Sequence, residues 1–400
     1  MRVLMLGWEF PPAIEGGLGT ACYGLTRGLA GEGAEVTFVL PHLSDPVKAE
    51  HVRLVAANPG SRPAAAPADR PVPRAYETPA EYVGRAAAVD DDPDLLSEVD
   101  RYAVAVERLA REEPFDVIHA HDWMTWPAGL RAQKATGRPL VCHVHSTEFD
   151  RCGDAGHAAI ADIERRALNA ATEVITVSGR TRHVVVERYG VDPEHIVVIH
   201  NAIDADTVPP APESVVKPWE QIVVFLGRLA FQKGPDYFIE AAARALSHMP
   251  EAKFVLAGRG GMLPQLVRRV AELRCGKSIL FAGFLDQRQV GRILSMADLY
   301  VMTSVHEPFG IAPLEAMAHG VPVIIPRTAG VSEVVANALR VDFWDVDALA
   351  NRIVSVLRHA PLRRTLGELG RREVAGMSWR EPARRCLQVY QRSLRLRDTP

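Results

Sequence analysis

The chain has 400 residues, too many for one hydrophobic core of ordinary size, so two domains of roughly 150–200 residues are expected. Hydrophobic residues make up 48% and charged residues 24%, close to the soluble globular average, which excludes fibrous and disordered classes. With 46 basic residues against 49 acidic ones the formal charge is −3, so no surplus of positive charge points to nucleic acid or an anionic membrane.

Five widely spaced cysteines (Cys22, Cys142, Cys152, Cys275, Cys386) include no C-x-x-C pair. That spacing argues against a disulfide scaffold or a zinc ribbon and for a reducing compartment. The apolar run at 3–6 is too short for a signal peptide, and no run of 18 apolar residues occurs. The expectation is a cytoplasmic chain with no integral membrane segment.

Apolar runs of strand length alternate with amphipathic stretches of helix length. In the first half they fall at 2–7, 35–40, 117–120, 140–144 and 174–177, with a helix over about 20–31 after the first strand. In the second half they fall at 222–226, 254–257, 278–281, 299–302 and 321–325. Runs apolar on both faces are what parallel strands covered by helices require, so the spacing predicts two doubly wound α/β domains. A proline-rich polar seam lies near 204–219, and a Pro/Ala/acid-rich stretch over 58–94 reads as a long inserted loop whose acidic run Asp90-Asp91-Asp92 reads as solvated. The tail over 378–397 reads as a basic amphipathic helix.

Ligands of open parallel sheets bind at the carboxyl ends of strands, so the segments after each strand carry the functional expectation. After the first strand comes a glycine loop, Gly16-Gly17-Leu18-Gly19, which permits close approach of backbone to a ligand and lacks the order of the dinucleotide fingerprint. Two H-x-H pairs follow, His119/His121 with Asp122, and His143/His145; on a strand each pair shares one face. They read either as packed or hydrogen-bonded imidazoles or as zinc ligands of a hydrolase. His121 and His145, nearer the loops, are expected to face the cleft.

In the second half Gly227-Arg228 is followed by Lys233-Gly234, two cations five apart directly after a strand. A planar fork and a point charge beside glycines suit a diphosphate. Glu307 and Glu315 stand eight apart around Gly310, Ile311 and Pro313, where a helix is expected to begin near 310–312. Two acids there could serve the helix dipole. Together with the cations they form a set suited to a nucleotide sugar: cations and helix amides for phosphate, carboxylates for hydroxyls.

These residues resemble the retaining GT-B glycosyltransferases, specifically glycosyltransferase family 4 and the glycogen/starch synthase group. The resemblance rests on the opening strand and glycine loop, on Asp116-Val-Ile-His-Ala-His-Asp-Trp123, and on Val144-His145. It continues through Asn201-Ala-Ile-Asp204, Gly227-Arg228 with Lys233-Gly234, the E-x7-E pair Glu307/Glu315, and Met377-Ser-Trp379. Ile14, followed by Glu15, stands where the synthases carry a lysine.

The resemblance implies two Rossmann-like domains facing a central cleft, over 1–205 (acceptor side) and 206–376 (nucleotide sugar), with 377–400 as a helix crossing back to the first. It also implies that Arg228 and Lys233 hold the donor diphosphate, that Glu315 binds the ribose and Glu307 the transferred sugar, and that His145 lies over the sugar and Asp122 near the acceptor. Gly16, Gly17, Gly310 and Ile311 would line the phosphates. The implied activity is transfer of a hexosyl group, glucosyl to an α-glucan or similar acceptor, with no cofactor and no metal. Mannosyl or other hexosyl transfer to a small-molecule, glycan or lipid acceptor is the alternative.

Overall fold

The computed structural model describes residues 1–11, 16–43, 49–57, 95–205, 208 and 221–397. The inserted stretch over 58–94 with its acidic run, Ile14 and Glu15, and most of the seam lie outside the described residues. The chain divides into two units, residues 1–202 with 379–400, and residues 203–378.

In the first unit the elements run β1 (Arg2–Leu6), α1 (Gly17–Gly31), β2 (Glu35–Leu40), β3 (Arg53–Ala56), α2 (Leu95–Glu112), β4 (Val117–His121), α3 (Trp126–Thr136), β5 (Leu140–Val144), α4 (Glu148–Cys152), α5 (Ala158–Ala170), β6 (Glu173–Thr176), α6 (Gly179–Tyr189) and β7 (Ile196–Val198). The described strands form one sheet in the order β3-β2-β1-β4-β5-β6-β7, parallel throughout. Every residue of β4, β5 and β6 is buried, as strands covered on both faces must be.

The second unit runs β8 (Ile222–Leu226), α7 (Pro235–Leu246), β9 (Lys253–Ala257), α8 (Leu263–Glu272), β10 (Ile279–Gly283), α9 (Gln287–Met296), β11 (Leu299–Val301), α10 (Ala312–Ala318), β12 (Val323–Ile325), β13 (Leu339–Arg340), α11 (Val346–Arg358) and α12 (Ala360–Ala375). Its sheet order is β10-β9-β8-β11-β12-β13, again parallel. Phe225, Phe238, Phe254, Leu256 and Ile353 anchor a core between this sheet and its helices.

The last helix, α13 (Arg380–Arg397), belongs to the first unit and packs on α1. Gly24 and Gly28 make that contact possible. A β-carbon on Gly24 would lie 2.1 Å from Trp379 Nε1, and one on Gly28 would lie 2.4 Å from the Trp379 carbonyl oxygen. Arg384 Nε donates to Glu32 at 3.0 Å at the end of the same contact.

Each sheet has one place where the strand order reverses. In the first, β1 and β4 are neighbours; in the second, β8 and β11. Within each sheet, the loops leaving this strand pair are where open α/β sheets take ligands. The glycine loop follows β1, His121 and Asp122 end β4, Arg228 and Lys233 follow β8, and Glu307 follows β11.

Candidate functional site

In the second unit the loops after β8 and β11 are stitched together by their backbones. The Gln232 carbonyl accepts N–H bonds from Val305 at 2.9 Å and His306 at 3.3 Å. Gly234 sits at φ 58 with the Thr303 carbonyl oxygen 2.2 Å from where a β-carbon would be, so only glycine fits. Thr303 Oγ1 donates to the Gly234 carbonyl at 2.7 Å. These contacts fix two otherwise separate loops as one platform.

On that platform Lys233 Nζ donates to Glu307 Oε2 at 2.7 Å, and Ser304 Oγ donates to the same oxygen at 2.8 Å. Arg228 Nη2 donates to Gln232 Oε1 at 2.9 Å. Glu307 is buried at 6% exposure, whereas the Lys233 side chain keeps 24%. Gly310, at φ 99, folds the chain back so that a β-carbon there would lie 3.2 Å from Glu307 Cγ. Ile311 caps α10 and Glu315 lies in its first turn. Burial pushes the Glu315 carboxyl up to about 7. Both Glu307 and Glu315 act electrostatically on the buried Tyr300 hydroxyl, which raises its pKa after burial has done most of the work. Arg228, Lys233, Glu307, Gly310, Ile311 and Glu315 thus gather at the carboxyl ends of β8 and β11.

In the first unit Gly16 is extended and Gly17 opens α1, with nothing among the described residues within 4 Å of a β-carbon on Gly17. His145 is buried but retains 7% exposure. His121 does not face outward: it is fully buried, and its ring shares a hydrogen bond with His145. Proximity to the loop does not expose it, because β4 ends inside the molecule, under the residues that follow β5. Asp122 is also turned inward. At φ 58, a conformation rare for a residue with a β-carbon, its Oδ1 accepts the N–H groups of His145 at 2.6 Å and Ser146 at 3.2 Å. At 2% exposure the carboxyl supports the β5 loop instead of lying open to an acceptor, and burial pushes its pKa up to about 7.

The β5 loop has a second support that sequence reading missed. The buried Arg151 guanidinium donates to Glu148 at 3.0 Å, to Glu164 at 2.9 Å and to the Ser146 carbonyl at 3.2 Å. Glu164 in turn accepts the Glu148 N–H at 2.9 Å and bonds the Tyr189 hydroxyl. Breaking such a buried ion cluster by removing one member costs about 3–5 kcal/mol. Ser304 and Gln232 were missed as well. Their signal was local, three residues before Glu307 and four after Arg228, but a serine and a glutamine carry no pattern of their own.

His119, His121 and His143 place one ligand-capable atom each within 4.8 Å of one another. Tetrahedral zinc with Zn–N near 2.1 Å brings its donors to about 3.4 Å apart. His119 has both ring nitrogens engaged, one with Tyr390 and one with His143 at 3.1 Å, and the rings of His119 and His121 stack with centroids 4.4 Å apart. This arrangement is a hydrogen-bonded stack, and metal ligation would require it to be rebuilt.

Two parallel α/β sheets, with cations and acids collected where the second sheet reverses its order, define the GT-B class of glycosyltransferase fold. Residues 15–207 match Glycosyltransferase Family 4 and residues 212–373 match Glycosyl transferases group 1. An uncharacterized glycosyltransferase of Methanocaldococcus jannaschii is 30% identical over 98% of both chains. The glycogen synthase of Mycobacterium tuberculosis is 28% identical over 98% of this chain and 94% of its own. Among solved structures, Anabaena HepE in complex with UDP-glucose superposes with a TM-score of 0.74 at 18% identity, covering 98% of this chain and 100% of that one. The chain belongs to the family 4, group 1 glycosyltransferases. Among the described residues no helix is long and apolar enough to cross a membrane.

Proposed function

We propose that the protein transfers glucose from a nucleoside-diphosphate glucose to an α-glucan hydroxyl with retention of configuration. The observation that carries this reading is the Lys233–Glu307 contact beside Arg228 at the β8/β11 reversal, where a cation for phosphate and an acid for sugar hydroxyls stand side by side. The full-length likeness to a glycogen synthase supports the α-glucan acceptor, and the shared fold of a protein holding UDP-glucose supports the donor class.

In this reading Arg228 and Lys233 hold the diphosphate, joined by the backbone at Gly310 and Ile311, while Gly16 and Gly17 keep the phosphate role that the family resemblance implies. Glu315 takes the ribose hydroxyls, Glu307 a hydroxyl of the transferred glucose, and His145 addresses the same sugar. As the C1–O bond to phosphate breaks, the two side-chain cations stabilise the charge gathering on the leaving diphosphate, the task a divalent metal performs elsewhere. The acceptor oxygen bonds C1 on the face the diphosphate leaves, and a phosphate oxygen takes the acceptor proton. Turnover therefore survives a chelator.

The test is a donor panel of ADP-glucose, UDP-glucose and GDP-mannose with a maltooligosaccharide acceptor, the product anomer read by NMR. Transfer from a glucose nucleotide with an α-linked product is the expected result. Transfer from GDP-mannose alone, a β-linked product, or loss of activity on chelation would overturn the reading.

A further inference from the structure

The four histidines at the ends of β4 and β5 form two hydrogen-bonded pairs, in each of which one ring sets the tautomer of the other. His121 pairs with His143 across the two strands, and residues two apart share a face, so His119, His121, His143 and His145 lie together on one side of the sheet. Their rings stack along each strand, 4.4 Å between His119 and His121 and 4.2 Å between His143 and His145. Across the strands they pair by hydrogen bonds, His119 Nε2 with His143 Nδ1 at 3.1 Å and His121 Nδ1 with His145 Nε2 at 2.9 Å. Burial lowers the pKa of all four, so all are neutral near pH 7. A bond between two neutral imidazoles needs one N–H and one bare nitrogen; the tautomer of one ring therefore dictates that of the next.

Two atoms set the direction. Among the described residues, His121 Nε2 and His143 Nε2 are buried without a hydrogen-bond partner. A stranded N–H is the rarer and costlier of the two orphans, so each of these rings carries its proton on Nδ1 and leaves a bare lone pair on Nε2. The His143 branch agrees with this polarity: His143 donates to His119, His119 donates to the Tyr390 oxygen, and the Tyr390 hydroxyl remains to donate to Cys386. The other branch ends at His145, the most exposed of the four rings.

We propose that His121 is a positioning residue which, by donating its Nδ1–H to His145 Nε2, locks His145 in the Nδ1–H tautomer and presents that N–H as a hydrogen-bond donor to the sugar. The backbone of His145 is fixed separately by Asp122, so ring and main chain have independent supports. The assignment deepens the function proposed above and rests on it for the ligand, though the tautomer itself can be measured without any ligand.

The test is long-range 1H–15N correlation on the full chain labelled with 15N-histidine at pH 7.5, with His145 assigned by loss of its signals in His145→Gln. A pyrrole-type Nδ1 and a pyridine-type Nε2 are expected for His145. His121→Leu removes the donor and should return His145 to mixed tautomers, lowering kcat roughly 10- to 100-fold with donor KM within about twofold. His121→Asn, whose amide N–H can stand where Nδ1–H stood, should restore the tautomer and bring kcat to within about threefold of the parent. An Nε2–H His145 in the parent chain, or a His121→Leu variant with unchanged tautomer and kcat, overturns the proposal. Should His121→Leu fail to fold, the parent spectrum and the asparagine variant decide. Full turnover in His145→Ala would instead sink the sugar-facing reading of His145 while leaving the tautomer result standing.

Discussion

Lys233 and Glu307, 74 positions apart in the chain, meet at 2.7 Å, and the bond falls on the one carboxylate oxygen that Ser304 also holds. The cation assigned to phosphate and the acid assigned to sugar neutralise each other before any donor arrives. Under the proposed function, donor binding redistributes this pair, with Lys233 turning to the diphosphate and Glu307 to a hydroxyl.

That relationship makes two substitutions behave differently. Lys233→Ala should weaken nucleoside-diphosphate binding by roughly 10- to 100-fold, the loss of one charge-assisted contact. Glu307→Gln should abolish transfer yet tighten the sugar-free nucleoside diphosphate by roughly twofold to tenfold, because Lys233 no longer has a competing partner. Calorimetry with the diphosphate reads both. Weaker binding in Glu307→Gln, or retained turnover, would contradict the assignment.

Glu315 gives the donor site a pH dependence. Its carboxyl titrates near 7 because of burial, so at pH 6 only about a tenth is ionised. Hydroxyls donate to the ionised form, so donor affinity should rise roughly tenfold between pH 6 and a plateau above pH 8, with a proton released on binding at pH 6. In Glu315→Gln the slope should vanish. Calorimetry in two buffers of different ionisation enthalpy checks this. Affinity that is flat or improves on acidification would refute it.

The histidine stack gives the first unit an acid sensitivity. All four imidazoles have native pKa values below the usual 6.5, to about 3 for His119 and His145. The unfolded chain therefore binds up to four more protons below pH 6.5, and stability falls with acidification. Asp122 and Glu164, both raised to about 7, work the other way between about pH 4 and 7 because the native state holds their protons. Four against two leaves a net uptake of protons on unfolding, so stability is lost as the pH falls from roughly 6. Urea unfolding at stepped pH measures it. His143→Leu should reduce the slope by about one proton's worth, and stability that holds or rises between pH 7 and 5 would count against it.

The fold was legible where both faces of a strand are buried. The runs at 35–40, 140–144 and 222–226 coincide with β2, β5 and β8. What escaped were β3, β7 and β13, of four, three and two residues, the last strands in their sheets' order. These three are partly exposed and too short to show a period. The gathering of Arg228, Lys233, Glu307 and Glu315 in the second unit was legible because they belong to contiguous motifs placed by one topological rule. The burial of His121 and the inward turn of Asp122 were not, because one depends on packing beneath the β5 loop and the other on a positive φ. The Tyr390 partner of His119 lies 271 residues away. Spacing along a chain carries no information about contacts of that range.

Gly28 tests how the C-terminal helix is fastened within the first unit. Alanine favours a helix over glycine by about 1 kcal/mol, so on propensity alone Gly28→Ala should stabilise α1. Its β-carbon, however, would lie 2.4 Å from the Trp379 carbonyl oxygen and 2.9 Å from Ala383 Cβ. A backbone oxygen cannot rotate aside, so the helices must separate, at a cost of about 1–3 kcal/mol that exceeds the propensity gain. Gly31, in the same helix, has nothing among the described residues within 4 Å of a β-carbon, and Gly31→Ala should stabilise by up to about 1 kcal/mol. Thermal unfolding of the two variants separates sterics from propensity: a fall in Tm for Gly28→Ala beside a rise for Gly31→Ala is expected. Equal gains in both would mean that the Trp379 backbone is not held against α1.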